Sequence, residues 1–466
     1  MIKSQRTGFR KGAGFFTVMV MLSFALLFIS SFRVTAADRL QDVGEKLVIV
    51  IDPGHGGDNL GTTENGHEEK TMTMITALAM YEELLLYDDV EVYLTRTDDR
   101  DPTRKERAEF ALSVDADFLF SIHYNASENH ELFGAEVWVS AFAPFNNYGY
   151  QFGYELLTDL RKAGLFVRGI KSRLNDEGKN YYGIILYPEN MGIPSVIIEH
   201  CHVDEERDEG FCDSEEKLKN FGKMDATAVA RYFGLKSTAL GVDYSGYSLA
   251  DVQSDPAVPV TLRDATPPDL CQIEPIDINY DTGFLSLTVT AADYDSPLLY
   301  YSYSLDGGQS FSKREAWPQS DTLTGGYADT FILNLTIPSD TTPTVILRAY
   351  NMYDLHTDSE AYISPQAFHY QPLEDAVEAM GFAETEEGVK EDEKVDSAEK
   401  TYPQDEAVED QTPGEVSFLV FLEICLAVVF ILFLALMVSQ VVSRRRLRKP
   451  RHQQRNESGS NKNQHR

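Results

Sequence analysis

Between Leu47 and about Leu235 short β-rich runs alternate with helical stretches, and this alternation confines that part of the chain to an α/β fold. The runs are LVIVI at Leu47–Ile51, VEVYLT at Val90–Thr95, FLFSIH at Phe118–His123, AEVWV at Ala135–Val139 and SVIIE at Ser195–Glu199. Met74, Ile75, Leu78, Tyr81 and Leu85 recur at helical spacing between the first two. Further helices are expected near Tyr150–Ala163 and Lys217–Phe233. The expectation is a mixed sheet flanked by helices over residues 44–237. The long stretch Ser140–Ile193 reads as an insertion and a candidate gate, because loops on rigid sheets often carry function.

From about Ala257 to Tyr370 the texture changes to short alternating runs split by turn residues: FLSLTVTA, LLYYSYSL, TFILNLTI and TVILRAY, with Asp306-Gly307-Gly308 as a hairpin signal. This pattern predicts an all-β, immunoglobulin-like sandwich over residues 257–370. It holds no obvious catalytic cluster, so a spacer or binding unit is expected.

The formal net charge is −33, which argues against nucleic acid as a partner, since phosphate binding needs a basic face. Basic residues crowd the two ends instead. Lys3, Arg6, Arg10 and Lys11 precede an apolar run from Phe15 to Phe32 and the small residues Thr35, Ala36 and Ala37, the layout of a signal peptide or signal anchor over residues 1–37. Pro372 to Glu415 is dominated by Glu and Asp, which predicts an acidic disordered linker over 371–416. Phe418 to Val442 is almost wholly apolar and is followed by Arg444, Arg445, Arg446, Arg448, Lys449 and Arg451. That reads as a transmembrane helix over 417–442 and a basic cytoplasmic tail over 443–466. The expected location is therefore a single-pass cell-membrane protein with its globular part outside the cytoplasm. Four cysteines without a CxxC pair argue against a thiolate metal site; Cys201 and Cys212 either pair or remain free buried thiols.

The unusual polar residues fall just beyond the carboxyl ends of these strands, where open α/β sheets build their sites. His55 follows LVIVI, His123 ends FLFSIH, Glu199 ends SVIIE, and Glu69 opens the first helix. Two neutral imidazoles and a carboxylate make a suitable ligand set for Zn²⁺, with one tetrahedral position left for water. A further carboxylate could take a proton from that water and hand it to a leaving nitrogen.

Four blocks in order carry a resemblance: DPGHGG at Asp52–Gly57, EEK at Glu68–Lys70, SIHYNAS at Ser121–Ser127 and PSVIIE at Pro194–Glu199. Together with LTRTDD at Leu94–Asp99, the arginine-bearing turn at Arg104–Arg107 and ATAVARYFGL at Ala226–Leu235, they closely resemble the zinc-dependent N-acetylmuramoyl-L-alanine amidases. The resemblance implies that His55, Glu69 and His123 bind Zn²⁺ and that Glu199 is the catalytic carboxylate. Glu69 is preferred to Glu68 because the family's ligand precedes a lysine, here Lys70. The implied reaction is hydrolysis of the amide between N-acetylmuramic acid and L-alanine in peptidoglycan. Asp52 would orient His55 or cap the following turn, and Asn125 and Arg107 would line or brace the cleft. The chain departs from the family after the glutamate, where His200-Cys201-His202-Val203-Asp204 replaces a Gly-Phe turn, and this bears on the substrate subsite. The alternative is a non-catalytic or regulatory wall-binding membrane protein, whose mark would be the loss of a ligand or of Glu199. Peptidoglycan and the membrane are the expected partners; an activator is left open.

Overall fold

Ile49 and Ile51 face one side of the first strand and Val50 the other; all three are buried, which is why LVIVI has no polar position. The computed structural model describes residues 46–250, 263–318, 322–323 and 326–370. Its first lobe is built on six strands: β1 (Leu47–Pro53), β2 (Val90–Leu94), β3 (Phe118–Asn125), β4 (Ala135–Val139), β5 (Val167–Lys171) and β6 (Ser195–His202), in spatial order β2-β1-β3-β6-β4-β5. Neighbours run parallel from β2 to β6; β4 then pairs antiparallel to β6, and β5 pairs parallel to β4.

Six helices complete the lobe: α1 (Glu69–Leu84), α2 (Arg104–Ser113), α3 (Phe145–Lys162), α4 (Gly183–Asn190), α5 (Glu206–Cys212) and α6 (Glu215–Phe233). Residues of α1, α3 and α6 cover the face bearing Ile49, Phe118, Phe120 and Ile198, while Ala111 of α2 and Ile184 and Ile185 of α4 cover the face bearing Val50, Leu119 and Ile197. Phe118 and Phe120 stack at 4.4 Å, and Phe120 meets Phe152 of α3 at 4.6 Å. Truncating a buried Phe of this kind costs about 3–5 kcal/mol.

Two features differ from the sequence reading. The stretch Ser140–Ile193 is no surface insertion but supplies α3, β5 and α4 to the lobe. The segment Arg104–Arg107, read as a turn, opens helix α2: Thr103 accepts from the Glu106 backbone N–H at 3.3 Å, and the Glu106 carboxylate accepts from the Thr103 N–H at 2.8 Å, a complete capping box.

The second lobe carries β9 (Leu270–Asn279), β10 (Phe284–Ala292) and β13 (Ala328–Thr336) in a three-stranded antiparallel sheet. A facing sheet contains β11 (Leu298–Ser304), β12 (Glu315–Ala316), β14 (Thr344–Asn351), β15 (His356–Asp358) and β16 (Tyr362–Ile363). Leu285, Val289 and Leu333 of the first sheet share a core with Val345, Leu347 and Ala349 of the second. The short hairpin β7 (Lys236–Ser237) with β8 (Val242–Asp243) precedes it in the chain.

The expected membrane topology needs correction. Among the described residues no helix is long and apolar enough to cross a membrane. The longest, α6, carries Glu215, Glu216, Lys217, Lys219 and Lys223 in its first half, charges that a hydrocarbon core would not accept. The stretches read as a signal segment (1–37), acidic linker (371–416), transmembrane helix (417–442) and basic tail (443–466) lie outside the described residues. The described residues accordingly form an α/β lobe followed by additional β-sheets, with no membrane-spanning helix among them. The expected membrane partner, signal peptide and single-pass location find no support among the described residues.

Candidate active site

β1 and β3 end side by side, and Gly54 bonds back across them from its N–H to the Ile122 carbonyl at 3.0 Å. The chain then turns through His55 at φ 61, a left-handed conformation uncommon for a residue with a side chain, which brings the imidazole over the sheet edge. Arg96, fully buried, fixes this turn by donating to the carbonyls of Pro53 at 3.0 Å and Gly54 at 2.9 Å. Arg107 donates to Pro53 O at 2.7 Å and His55 O at 2.9 Å.

His55, Glu69 and His123 converge here, with one ligand atom from each lying within 4.8 Å of the others. The Glu69 Oε1 atom is 3.1 Å from His55 Nε2 and 3.0 Å from His123 Nδ1. Glu69 is held by two backbone donors, Tyr124 N–H to Oε1 at 3.1 Å and Thr62 N–H to Oε2 at 2.9 Å. His55 places its remaining nitrogen, Nδ1, 2.9 Å from Asn59 Oδ1, a contact that fixes the ring orientation. Burial opposes ionisation of Glu69, but the bonds to His123 and His55 outweigh it and hold its carboxyl well below the ordinary range. Burial likewise lowers the His55 pKa, and its contact with Glu69 more than reverses that, leaving it raised. Two imidazoles and an ionised carboxylate aimed at one point fit a divalent cation. Glu68, by contrast, is exposed and precedes the helix.

Glu199 stands beside this cluster because β3 and β6 are in register: His123 pairs with Glu199, and on the other side Glu136 of β4 pairs with Glu199 as well. Register partners on neighbouring strands share a sheet face. Among the described residues Glu199 Oε2 is a buried oxygen without a hydrogen-bond partner. Burial first, and then the charges of Glu69 and Glu136, push the Glu199 pKa well above its ordinary value.

Asp52 neither orients His55 nor caps a turn. Its Oδ1 accepts from Thr95 Oγ1 at 2.5 Å and Arg107 Nη1 at 2.7 Å, and its Oδ2 from Ser121 Oγ at 2.8 Å. Asn125 donates to Glu136 Oε1 at 3.0 Å. His200 turns away from the cluster toward α6, with Nε2 3.0 Å from Asp225 Oδ2, and His202 is buried with Nδ1 3.1 Å from Gly134 O. Cys201 and Cys212 are free and buried. Residues unforeseen from sequence are Asn59 and Glu136. The DPGHGG block, with Asn two residues beyond it, was the only available signal for Asn59.

A family model described as N-acetylmuramoyl-L-alanine amidase matches residues 49–231. N-acetylmuramoyl-L-alanine amidase CwlM of Bacillus licheniformis is 31% identical over 194 residues, 41% of this chain and 70% of that protein. The sporulation-specific N-acetylmuramoyl-L-alanine amidase of Bacillus subtilis (strain 168) is 28% identical over 192 residues, again 41% of this chain and 70% of the relative. Among solved structures, Cwp6 from Clostridium difficile aligns with a TM-score of 0.37 and 28% identity, covering 40% of this chain and 29% of that one. Family membership rests on the sequence matches. With these matches and the His55, Glu69 and His123 cluster in place, the chain belongs to the N-acetylmuramoyl-L-alanine amidase family and is an enzyme of amidase-type peptidoglycan hydrolysis.

Proposed function

We propose that the enzyme is zinc-dependent, that His55, Glu69 and His123 hold the ion, and that Glu199 is the catalytic carboxylate for cleavage between N-acetylmuramic acid and L-alanine. The observation that carries this reading is the placement of Glu199, with its unpartnered oxygen, in register beside a ligand set drawn from three segments. When bound, the ion supplies a Lewis acid that polarises the scissile carbonyl and lowers the pKa of water. The absence of a thiolate ligand is compatible with zinc, since nitrogen and oxygen sets of this kind are found in catalytic zinc sites.

Glu199 takes the proton of the attacking water and delivers it to the departing alanine nitrogen. Its buried setting and the neighbouring Glu69 and Glu136 carboxylates raise its proton affinity, which suits a group that must accept and then release a proton. Arg107 and Arg96 hold the backbone on which His55 sits, so the metal-binding geometry is set before substrate arrives. The test is to incubate the protein with purified peptidoglycan, with added zinc or with chelator, and to identify new amino termini. Chelator-sensitive release of N-terminal L-alanine, restored by zinc, supports the reading. A different new terminus overturns the bond, and release that resists chelation overturns the metal.

A further inference from the structure

The strand β5 lies at the edge of the six-stranded sheet, yet all five of its residues, VRGIK, are buried. The second lobe covers it. Thr322 Oγ1 donates to Val167 O at 2.9 Å, and a Cβ on Gly169 would lie 2.9 Å from Met352 Cε and 3.2 Å from Thr322 Cβ. Phe133 and Phe166 of the first lobe pack on Tyr300 of the second at 4.9 and 5.4 Å between ring centres. An edge strand with unpaired backbone groups is normally protected by such a cover.

What the cover encloses is polar and leads to the active site. Arg168 of β5 has its side chain only 3% exposed. Its Nη1 donates to Tyr300 Oη at 2.8 Å and its Nη2 to Asp354 Oδ2 at 2.9 Å, both in the second lobe. Arg314 Nη1 holds the other oxygen of Asp354 at 2.8 Å, and Tyr300 in turn donates to the Phe133 carbonyl. The remaining donor of Arg168, Nε, reaches Glu136 Oε2 at 2.8 Å, where Lys171 Nζ joins it at 2.7 Å. Glu136 Oε1 accepts from Asn125 Nδ2 and Trp138 Nε1, both at 3.0 Å. Four donors thus fix one carboxylate. That carboxylate is the register partner of Glu199, and Asn125 ends the strand that carries His123.

We propose that Tyr300 and Asp354 of the second lobe are positioning residues for the amidase reaction, acting through Arg168 to fix Glu136 beside Glu199. The proposal rests on the reading of Glu199 and its neighbouring ligand set as the catalytic site. Its chemistry is that of an orienting chain: a guanidinium clamped on one side by a phenol and a carboxylate has a single direction left for its third donor. Without Asp354, Arg168 is left buried with fewer partners and its grip on Glu136 loosens. The floor on which Glu199 meets the water then loses definition, while groups that bind the rest of the substrate stay in place. The second lobe is on this account part of the active-site scaffold.

The experiment measures kcat and KM of the full chain on a soluble N-acetylmuramoyl-peptide for Asp354→Asn, Tyr300→Phe, Glu136→Gln and the double variant Asp354→Asn with Glu136→Gln. Arg348→Ala, which breaks an ion pair with Asp358 on the second lobe's surface, serves as a stability control, with Tm recorded for every variant. The expected result is a roughly tenfold fall in kcat for Asp354→Asn, a smaller one for Tyr300→Phe, little change in KM, and near-normal kcat for Arg348→Ala. The double variant is expected to be no slower than Glu136→Gln, because two residues acting in one chain are not additive. Unchanged kcat in folded Asp354→Asn and Tyr300→Phe overturns the proposal, as does a fully additive double variant. If Asp354→Asn does not fold, Tyr300→Phe decides, alone and combined with Glu136→Gln, by the same two criteria. Glu199→Gln in the same assay separates the two readings: retained turnover there removes the catalytic assignment, whereas loss there with normal turnover in Asp354→Asn removes only the coupling.

Discussion

Arg107 and Asp52 form a buried ion pair of 2.7 Å, with side chains 5% and 2% exposed, and the same guanidinium grips the His55 carbonyl at 2.9 Å. The pair therefore joins helix α2 to the turn that aims a metal-type ligand. Arg107 spends its donors on Pro102, Asp52, Pro53, His55 and Asp101, a fan that a lysine ammonium cannot reproduce. Arg107→Ala strands the Asp52 charge and is expected to cost about 3–5 kcal/mol in urea unfolding. Arg107→Lys should recover part of that stability but not the affinity for a divalent ion. A loss below about 1 kcal/mol for Arg107→Ala would mean that the pair does not brace the turn.

Glu199→Gln is nearly isosteric and leaves His55, Glu69 and His123 untouched, so ion binding should persist. Proton transfer should not. A positioned general base is commonly worth about 10²–10⁴-fold, and turnover is expected to fall by that order. Bound metal per chain and kcat on the same preparation make the check. Turnover within a factor of a few of the parent would remove Glu199 from the proton transfer.

The Glu136 carboxylate gives stability a definite acid limb. Burial opposes its ionisation, but Lys171 and Arg168 more than compensate and hold its pKa well below the ordinary 4.5. A depressed folded-state pKa contributes stability that is fully present above the unfolded value and is lost as pH falls through the folded one. Unfolding free energy should therefore be level near neutrality, begin to decline below about pH 4.5 and keep declining toward stronger acid. Glu136→Gln should lower stability at pH 7 by about 3–5 kcal/mol, since it leaves two buried cations short of a charge, and should flatten the acid limb. An acid limb of unchanged slope in that variant would assign the proton uptake to other carboxylates.

The cluster could be read from the sequence, while its support could not, for a physical reason. His123 and Glu199 announce themselves as polar ends of apolar strands, and Glu69 as the acid before Lys70 in the EEK block. β5 is disguised because VRGIK places Arg168, Gly169 and Lys171 in a buried strand, and charges are buried only with partners that lie far along the chain. Glu136 looks like the polar position of an alternating strand until the second lobe closes over its side of the sheet. Thr103 and Glu106 do announce α2, through the three-residue spacing of a capping box. The sequence marks Asp52 but not its partner, because Arg107 reaches it only once α2 is folded.

Gly54 offers a test of how tightly the ligand rings are seated. A Cβ at this position would lie 2.3 Å from His123 Cε1 and 2.6 Å from Nε2, well inside contact distance. The ring is held by its bond to Glu69 and by its strand, so it cannot step aside without moving Nδ1 away from the point where the three ligands meet. Gly54→Ala should therefore weaken divalent-ion affinity, by about 10–100-fold if it acts as loss of a ligand-orienting contact does. The backbone around it should keep its fold, because Gly54 is not at positive φ and its N–H bond to Ile122 does not need the missing hydrogen. Gly246→Ala, where a Cβ meets nothing within 4 Å, is the matched control. Zinc titration by calorimetry on both variants reads the difference. Equal affinities would show that the His123 ring has room to adjust and that Gly54 serves the turn alone.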